Sequence, residues 1–524
     1  MASYQINIVL RNSVANGASI TASISPVERP ILYVTDYRVE YDAAGPISNA
    51  LVSVFVGSDG LTVTNNTGSS WAAGKILQVS VRTIEGWSQL AGRVLGFSAA
   101  TQIPEIVFDQ SKGGKYLFTQ YDSTYGAFCS SLSIATGTLS SMSKTSLKTQ
   151  TDVSSLKDDA GGAITAGDVT CGWWLSETRF LFVGRKLSNN KYYVWMCNYN
   201  GSAWTVGSNS TTFDNGNAVL ALGTYSGGQA DLSGILHSHS MAVKSSTEAV
   251  IAEYNINASR STGSTNDAVR VYRTTDGGAT WSAILTFNTS GNQIRHAHAA
   301  RYDKWTGEYY FVFGDDPNSA VVRWDGSSSS PSANTALTQA GIGATSGWEC
   351  MHDSLGLECR SGSIAIHPNS VHFMCDNSEV NLQKTYAFTV TKQRPMARVQ
   401  SYGYDRTQGR PPLICCETPN GGAFWASMRE ATDGGAEDWK GYDFWHTPDG
   451  ITFVKIAKTR DNSTISSGVI TSFFMSNEGK IVIAGTNSKG TKLLPVTAST
   501  NGQGSLVVTP VIWTGDVRSL QTSA

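Results

Sequence analysis

The chain has 524 residues, a formal net charge of −2 and 15% charged residues, against the roughly 25% of an average soluble protein. Its length admits a large core, and near-neutrality without any run of Lys or Arg excludes a nucleic-acid partner, which needs a clustered basic patch. The 52 Gly, set among many Ser, Thr and Asn, describe short strands joined by tight turns: an all-β chain.

The opening run MASYQINIVLRNSVANGASITASI alternates apolar and polar residues as a strand does, and has neither the basic region nor the long apolar stretch of a secretory signal. Strands are expected at Tyr4–Leu10, Ser19–Ile24, Ile31–Tyr41, Ala50–Phe55, Leu61–Thr64 and Ile76–Thr83. Turn residues separate them at Asn16-Gly17, Gly45-Pro46, Ser58-Asp59-Gly60 and Asn65-Asn66. Residues 1–90 thus read as a small β-sandwich suited to attachment, with Glu85–Ala100 as the link to a second, larger region. The stretch GLTVTNNTGSSWAAGKILQVSVRT resembles the strand-turn-strand ends of phage structural domains over some twenty residues.

From residue 101 to 524 a unit of about 45 to 60 residues repeats, the length of a propeller blade. Each copy is an apolar strand, a polar turn and an aromatic-rich strand. Copies begin at Glu105, Asp168, Ile235, Ile294, Ser361, Arg410 and Gly468, which gives seven blades, with six or eight as the neighbouring counts. The first strand of each is expected to line the central channel. The last strand-like run, Ser505–Trp513, is expected to close the ring by completing the first blade.

At Thr274 the chain reads TTDGGATW, and Thr274, Asp276, Gly278, Thr280 and Trp281 match Ser/Thr-x-Asp-x-Gly-x-Thr-Trp. A shortened copy, HTPDGITF, holds Thr447, Asp449, Gly450, Thr452 and Phe453. Both resemble the Asp box of sialidase-like (BNR) propellers. The chemistry is that of a tight turn: the carboxylate accepts backbone N–H bonds, glycine admits positive φ, and the aromatic ring packs between blades. The box identifies a fold and not a reaction. The run IRHAHAARYDKWTGEYYFVFGD, through Arg295, His296, His298, Tyr302, Asp303, Thr306, Gly307, Tyr309, Gly314 and Asp315, also resembles a strand pair of uncharacterised Asp-box propellers, several in phage genomes.

Four of the eight histidines form two His-x-His pairs, His237/His239 and His296/His298, at the same place in successive repeats. Residues two apart on a strand face one side, so the pairs are placed to hold a divalent metal in the channel, as in metal-dependent polysaccharide lyases built on propellers, which they resemble. The alternative, preferred here, is that the imidazoles bond backbone and neighbouring side chains. A sialidase needs three arginines gripping a carboxylate. Arg295 and Arg360 supply two; Arg29 lies in the wrong domain and Arg410 too late in the chain, so that activity is not expected. A glycosidase needs two carboxylates about 5 to 10 Å apart, and Asp168, Asp315, Asp316, Glu349 and Asp353 are the candidates near inner strands. Adjacent Trp173 and Trp174 are expected on opposite faces, and loop tryptophans are able to stack on sugars. Arg295, Asp315, Trp348 and Arg360 form the expected binding set, and loops Ser327–Asn334 and Ala431–Gly441 the exposed contacts. The cysteines, without a CxxC pair, read as buried thiols in a protein folded in a reducing cytoplasm.

These resemblances imply a bacteriophage virion protein of a tail or appendage. Its expected partners are other virion proteins, copies of itself and a host-surface glycan, with no membrane insertion. The alternative is a tail-borne polysaccharide lyase or glycosidase with a channel metal.

Overall fold

Period-two burial makes the first unit. In Ile76–Gly86, Leu77 and Val79 are buried and Gln78 between them is half-buried, the signature of a strand with one face on a core. In the computed structural model this strand is central to a five-stranded sheet, flanked by Ala2–Val9 and Ile31–Tyr41. Pro46–Ile47 extends one edge, and Gln521–Ser523 pairs in parallel with Ala2–Val9 at the other. The second sheet holds Ser19–Ala22, Gly60–Asn65 and Val52–Gly57. The core of this unit is Ile8, Leu10, Val14, Val39, Val52, Val63, Trp71, Leu77 and Val79. Fully buried Asn65 donates to Val14 O and Ser69 O and accepts from Thr67, so its amide leaves no polar group stranded.

The structure describes residues 2–10, 12–22, 31–42, 44–57, 60–86, 93–95, 105–111, 113–120, 131–136, 147–152, 156–164, 167–186, 188–189, 191–202, 204–207, 216–224, 239–253, 269–287, 294, 296–314, 319–353, 361–375, 384–405, 415–418, 421–430, 439–447, 454–459, 468–475, 481–487, 506–508 and 521–523. Among them no helix is long and apolar enough to cross a membrane.

Among the described residues, seven antiparallel meander sheets follow the sandwich. Their inner strands are Glu105–Gln110, Gly167–Ser176, Met241–Val243, His296–Tyr302, Ser361–Ile366, Cys415–Glu417 and Gly468–Met475. From the fourth blade to the seventh each inner strand lies against the next, and Gly468–Met475 lies against Glu105–Gln110, which closes the ring. The protein is therefore all-β, a sandwich followed by a β-propeller. Apolar layers fill the gaps between blades: Cys171, Trp173, Leu181 and Val183 of the second pack with Met241, Ala249 and Ile251 of the third. Trp174 belongs to the opposite face of its sheet, with Phe180, Phe182 and Trp195.

Two features differ from expectation. Leu506–Val508 pairs with Ile481–Asn487 of its own seventh blade and does not complete the first. The first blade already owns four strands, Glu105–Gln110 to Leu147–Asp152, so it offers no vacancy on the channel side. The link also contains structure. Arg93–Leu95 adds a fifth strand, in parallel, to Val454–Thr459 at the outer edge of the sixth blade.

Candidate functional site

A β-bulge marks the inner strands. Pairing register shifts between Val169 and Cys171, Ala297 and Ala299, Ser361 and Ser363, and Ile470 and Ser472. A bulge adds local twist and re-aims a side chain. In the fourth blade the bulged residue is His298, whose ring lies 4.5 Å, centroid to centroid, from that of His296.

The imidazoles of this region tie blades together. His298 Nδ1 faces Ser361 O of the fifth blade at 2.6 Å, so that nitrogen carries the proton. Its Nε2 is then the acceptor for the Nε2–H of His296, 2.6 Å away. His239, just before the third inner strand, directs Nε2 at Cys415 O of the sixth blade, 2.7 Å away, and Nδ1 at the Ser363 hydroxyl at 3.3 Å. His367 Nδ1 meets Gly421 O at 2.5 Å. His372 lies opposite Thr389 Oγ1 at 3.0 Å, and burial, then the neighbouring His367, holds its pKa well below the usual range. All five rings are at most 1% exposed. A bond from the third blade to the sixth spans the ring, so side chains fill the middle at this level.

A transition metal would need imidazole lone pairs converging on one point. Both nitrogens of His298 and of His239 face hydrogen-bonding partners, and no group of three or more His, Cys, Asp or Glu is able to hold a metal ion among the described residues. His237 lies outside them. Of the four expected ligands, the three described, His239, His296 and His298, are engaged in hydrogen bonds and do not converge on a common point.

Toward the end of the blades that carries the turn from first to second strand, the polar groups pair. Arg301 on the fourth inner strand meets Glu417 of the sixth at 2.8 Å, and Glu417 also accepts Ile366 N of the fifth. Asp303, fully buried, pairs with Lys392 at 2.6 Å and accepts Trp305 N and the Thr306 hydroxyl. Arg323, also fully buried, bonds Glu349 and the carbonyls of Lys392 and Gln393. Glu349 is thus committed to an ion pair and to Met396 N, which removes it from the carboxylates available for hydrolysis. Buried Glu253 likewise accepts Arg270 N at 2.8 Å.

The Asp box is a joint between the second and third blades. Asp276 accepts the Thr280 amide and hydroxyl and the Thr274 hydroxyl, and Trp281 Nε1 donates to Gly278 O. Gly277 and Gly278 have φ of +77° and +94°, the left-handed region that glycine enters without strain. Arg179 of the second blade donates to Asp276 O and Gly277 O. In the second box Thr447 is buried; Asp449, Gly450, Thr452 and Phe453 lie outside the described residues.

Arg295, Asp315, Asp316 and Arg360 also lie outside the described residues, as does most of Ala431–Gly441. Trp348, expected to bind, is 3% exposed; it stacks on Trp324 and donates to Ser329 O, so it has no surface to offer a ligand. Ser328–Ser330 and Ser332–Asn334 are exposed. Cys171, Cys197, Cys350, Cys415 and Cys416 are buried. Sequence reasoning missed Trp305, an exposed indole at the tip of a hairpin.

No family model and no curated protein matches the chain. Among solved structures it is similar to prolyl oligopeptidase B from Galerina marginata, with 8% identity, a TM-score of 0.39 and coverage of 74% of this chain and 47% of that one. The chain thus spans about half the length of that enzyme. It is also similar to the Hadza microbial sialidase Hz136, with 10% identity, a TM-score of 0.32 and coverage of 94% and 95%. The NanB sialidase from Streptococcus pneumoniae gives 10%, 0.32, 87% and 78%. Likenesses of this grade say nothing about activity.

Proposed function

We propose that the chain is a non-catalytic component of a bacteriophage particle, in a tail or appendage. Its sandwich attaches to neighbouring virion proteins or further copies, and its propeller contacts assembly partners or a host-surface glycan. One observation carries the non-catalytic part: the described polar groups at the inner strands are spent on bonds between blades. Asp303 and Glu417 are each bound by a cation, and His239 and His298 by backbone carbonyls. An acid–base pair needs a group left free to exchange a proton with substrate, and none of these is. The phage part rests on the resemblance carried by Arg295 to Asp315.

The test has two arms. Peptide mass spectrometry of purified particles is expected to find the chain at fixed stoichiometry with other virion proteins. Incubation of purified protein with bacterial surface polysaccharides is expected to give retention without chain shortening. New reducing ends or unsaturated uronate absorbance would favour the lyase or glycosidase, and absence from particles would remove the virion assignment.

A further inference from the structure

Lysine is a poor choice for an enclosed ion pair, because its compact ammonium is strongly hydrated. Among the described residues, the lysines paired with Asp42, Asp158, Glu177 and Glu248 all leave both partners in contact with water. Lys392 and Asp303 do not: their side chains are 8% and 0% exposed, with Nζ 2.6 Å from Oδ2. Asp303 directly follows the inner strand of the fourth blade, and Lys392 directly follows Lys384–Thr391 of the fifth. The Trp305 ring covers the ammonium, its centroid 4.7 Å away. Where a cation is enclosed against Glu349, the chain uses Arg323, whose guanidinium holds its proton. A buried lysine instead sheds its proton readily and becomes an amine nucleophile. Burial does lower the Lys392 pKa, against the pull of Asp303.

The two oxygens of Asp303 keep different company. Oδ1 accepts the amides of Trp305 at 2.9 Å and Thr306 at 3.4 Å, fixed N–H donors of the kind that steady an oxyanion. Oδ2 accepts the Thr306 hydroxyl at 2.8 Å and faces Lys392. One oxygen is thus held as a carbonyl, and the other sits between an amine and a proton donor.

We propose that Lys392 and Asp303 condense to an isopeptide amide that staples the fourth blade to the fifth. Within the pair the ammonium gives a proton to the carboxylate, leaving amine and acid. The Nζ lone pair forms the bond to Cγ, and negative charge collects on Oδ1 against the two amides. The nitrogen then gives a proton to the Thr306 hydroxyl, which passes its own to Oδ2. The Cγ–Oδ2 bond breaks, the Oδ1 carbonyl re-forms and one water leaves; nothing is oxidised or reduced. The product is neutral, so the cost of burying two ions goes with the charges. The staple closes a loop of about 90 residues, a constraint on the unfolded chain like that of a disulfide, and it is independent of what the propeller contacts.

The test is the intact mass of the purified full chain, followed by a protease digest. Wild type is expected to weigh one water less than its sequence, allowing for removal of Met1, and to yield a branched peptide joining the segments that carry Asp303 and Lys392. Lys392→Arg keeps a cation against Asp303, so it should fold and show the full mass with no branched peptide. Thr306→Val removes the relay and should leave most of the freshly purified chain at full mass, since such proton transfer is worth about 100-fold in rate. A wild type at the full sequence mass overturns the staple and leaves an ordinary buried ion pair. A deficit of one water that persists in Lys392→Arg places the dehydration elsewhere, as in a succinimide, and overturns it equally. Complete condensation in Thr306→Val overturns the relay alone.

Discussion

The third and fourth blades solve one problem at two depths. Each sets a glutamate just before its second strand and an arginine late in its third: Glu248 with Arg273 at 2.7 Å, and Glu308 with Arg323 at 3.7 Å. In the third blade this pair keeps partial access to water, and the next turn is the tight Asp box. In the fourth, Arg323 is fully enclosed and the turn swells into residues 325–347. The turn chemistry persists through the insertion. Asp325 accepts an amide two residues on, where Asp276 accepts one four residues on, and Trp348 still donates its indole N–H to a carbonyl of the turn, as Trp281 does. What the insertion adds is cover: Asn334 N bonds Thr286 O on the outer strand of the third blade, and Leu337 and Ile342 enter its core. A turn that caps its own blade has become a clasp over its neighbour's open edge.

Removing the arginines separates the two depths most strongly. Arg323→Ala is expected to cost about 3–5 kcal/mol by leaving Glu349 buried without its partner, and Arg273→Ala about 1 kcal/mol or less because its pair is part-solvated. Urea unfolding midpoints of the two variants measure the gap, and equal losses would end the distinction. Changing Arg323 and Glu349 together to Met and Leu should return much of the loss, since the desolvation penalty goes with the charges.

The clasp is tested next. Leu337 is 1% exposed, and Leu337→Ala should cost about 2–4 kcal/mol by opening a cavity under the insertion. Light scattering should detect self-association earlier in thermal melts of this variant than in Arg273→Ala, because the edge of the third blade is uncovered. Glycines give a finer contrast. Gly278 and Gly326 both have positive φ, but a Cβ on Gly278 meets Leu181 at 2.8 Å whereas on Gly326 the nearest atom is 3.7 Å away. Gly326→Ala should therefore cost only the conformational strain of about 1–2 kcal/mol, and Gly278→Ala visibly more in the same denaturation assay.

The smallest effect is on pH. Burial raises the Asp276 pKa, but the bonds from Thr280 and Thr274 outweigh it and hold the carboxyl below its usual value. A carboxylate depressed in the folded state contributes stability above its unfolded pKa of about 3.9, and that contribution is lost as pH falls through the folded value. Asp276→Asn should flatten the unfolding midpoint against pH below about 4; an unaltered slope would assign the acid sensitivity elsewhere.

Local chemistry was readable in the sequence and long-range partnership was not. The box at Thr274 is legible because every bond in it spans at most a few residues. Apolar runs such as Gly167–Ser176 declare strands by composition, and the faces of Trp173 and Trp174 follow from alternation. The pairing of His239 with Cys415 O joins residues far apart in the chain, and no spacing announces it. Arg93–Leu95 is too short to signal a strand, and it forms one because an edge was waiting. Arg323 reads as a surface arginine until its partners, from two blades, are assembled. Trp305 stood inside a recognised strand pair, at the position between Asp303 and Thr306 that the pattern leaves unspecified. Its one signal was an aromatic residue at a hairpin tip, where side chains point outward.

The short parallel strand on the sixth blade has a mechanical meaning. Arg93, Val94 and Leu95 lie in register with Ala457, Lys458 and Thr459. Tension along that strand's axis is shared by all three positions at once, whereas a sideways tug would unzip them singly. The link is therefore latched to the sixth blade by a contact whose resistance depends on the direction of pull along or across that strand.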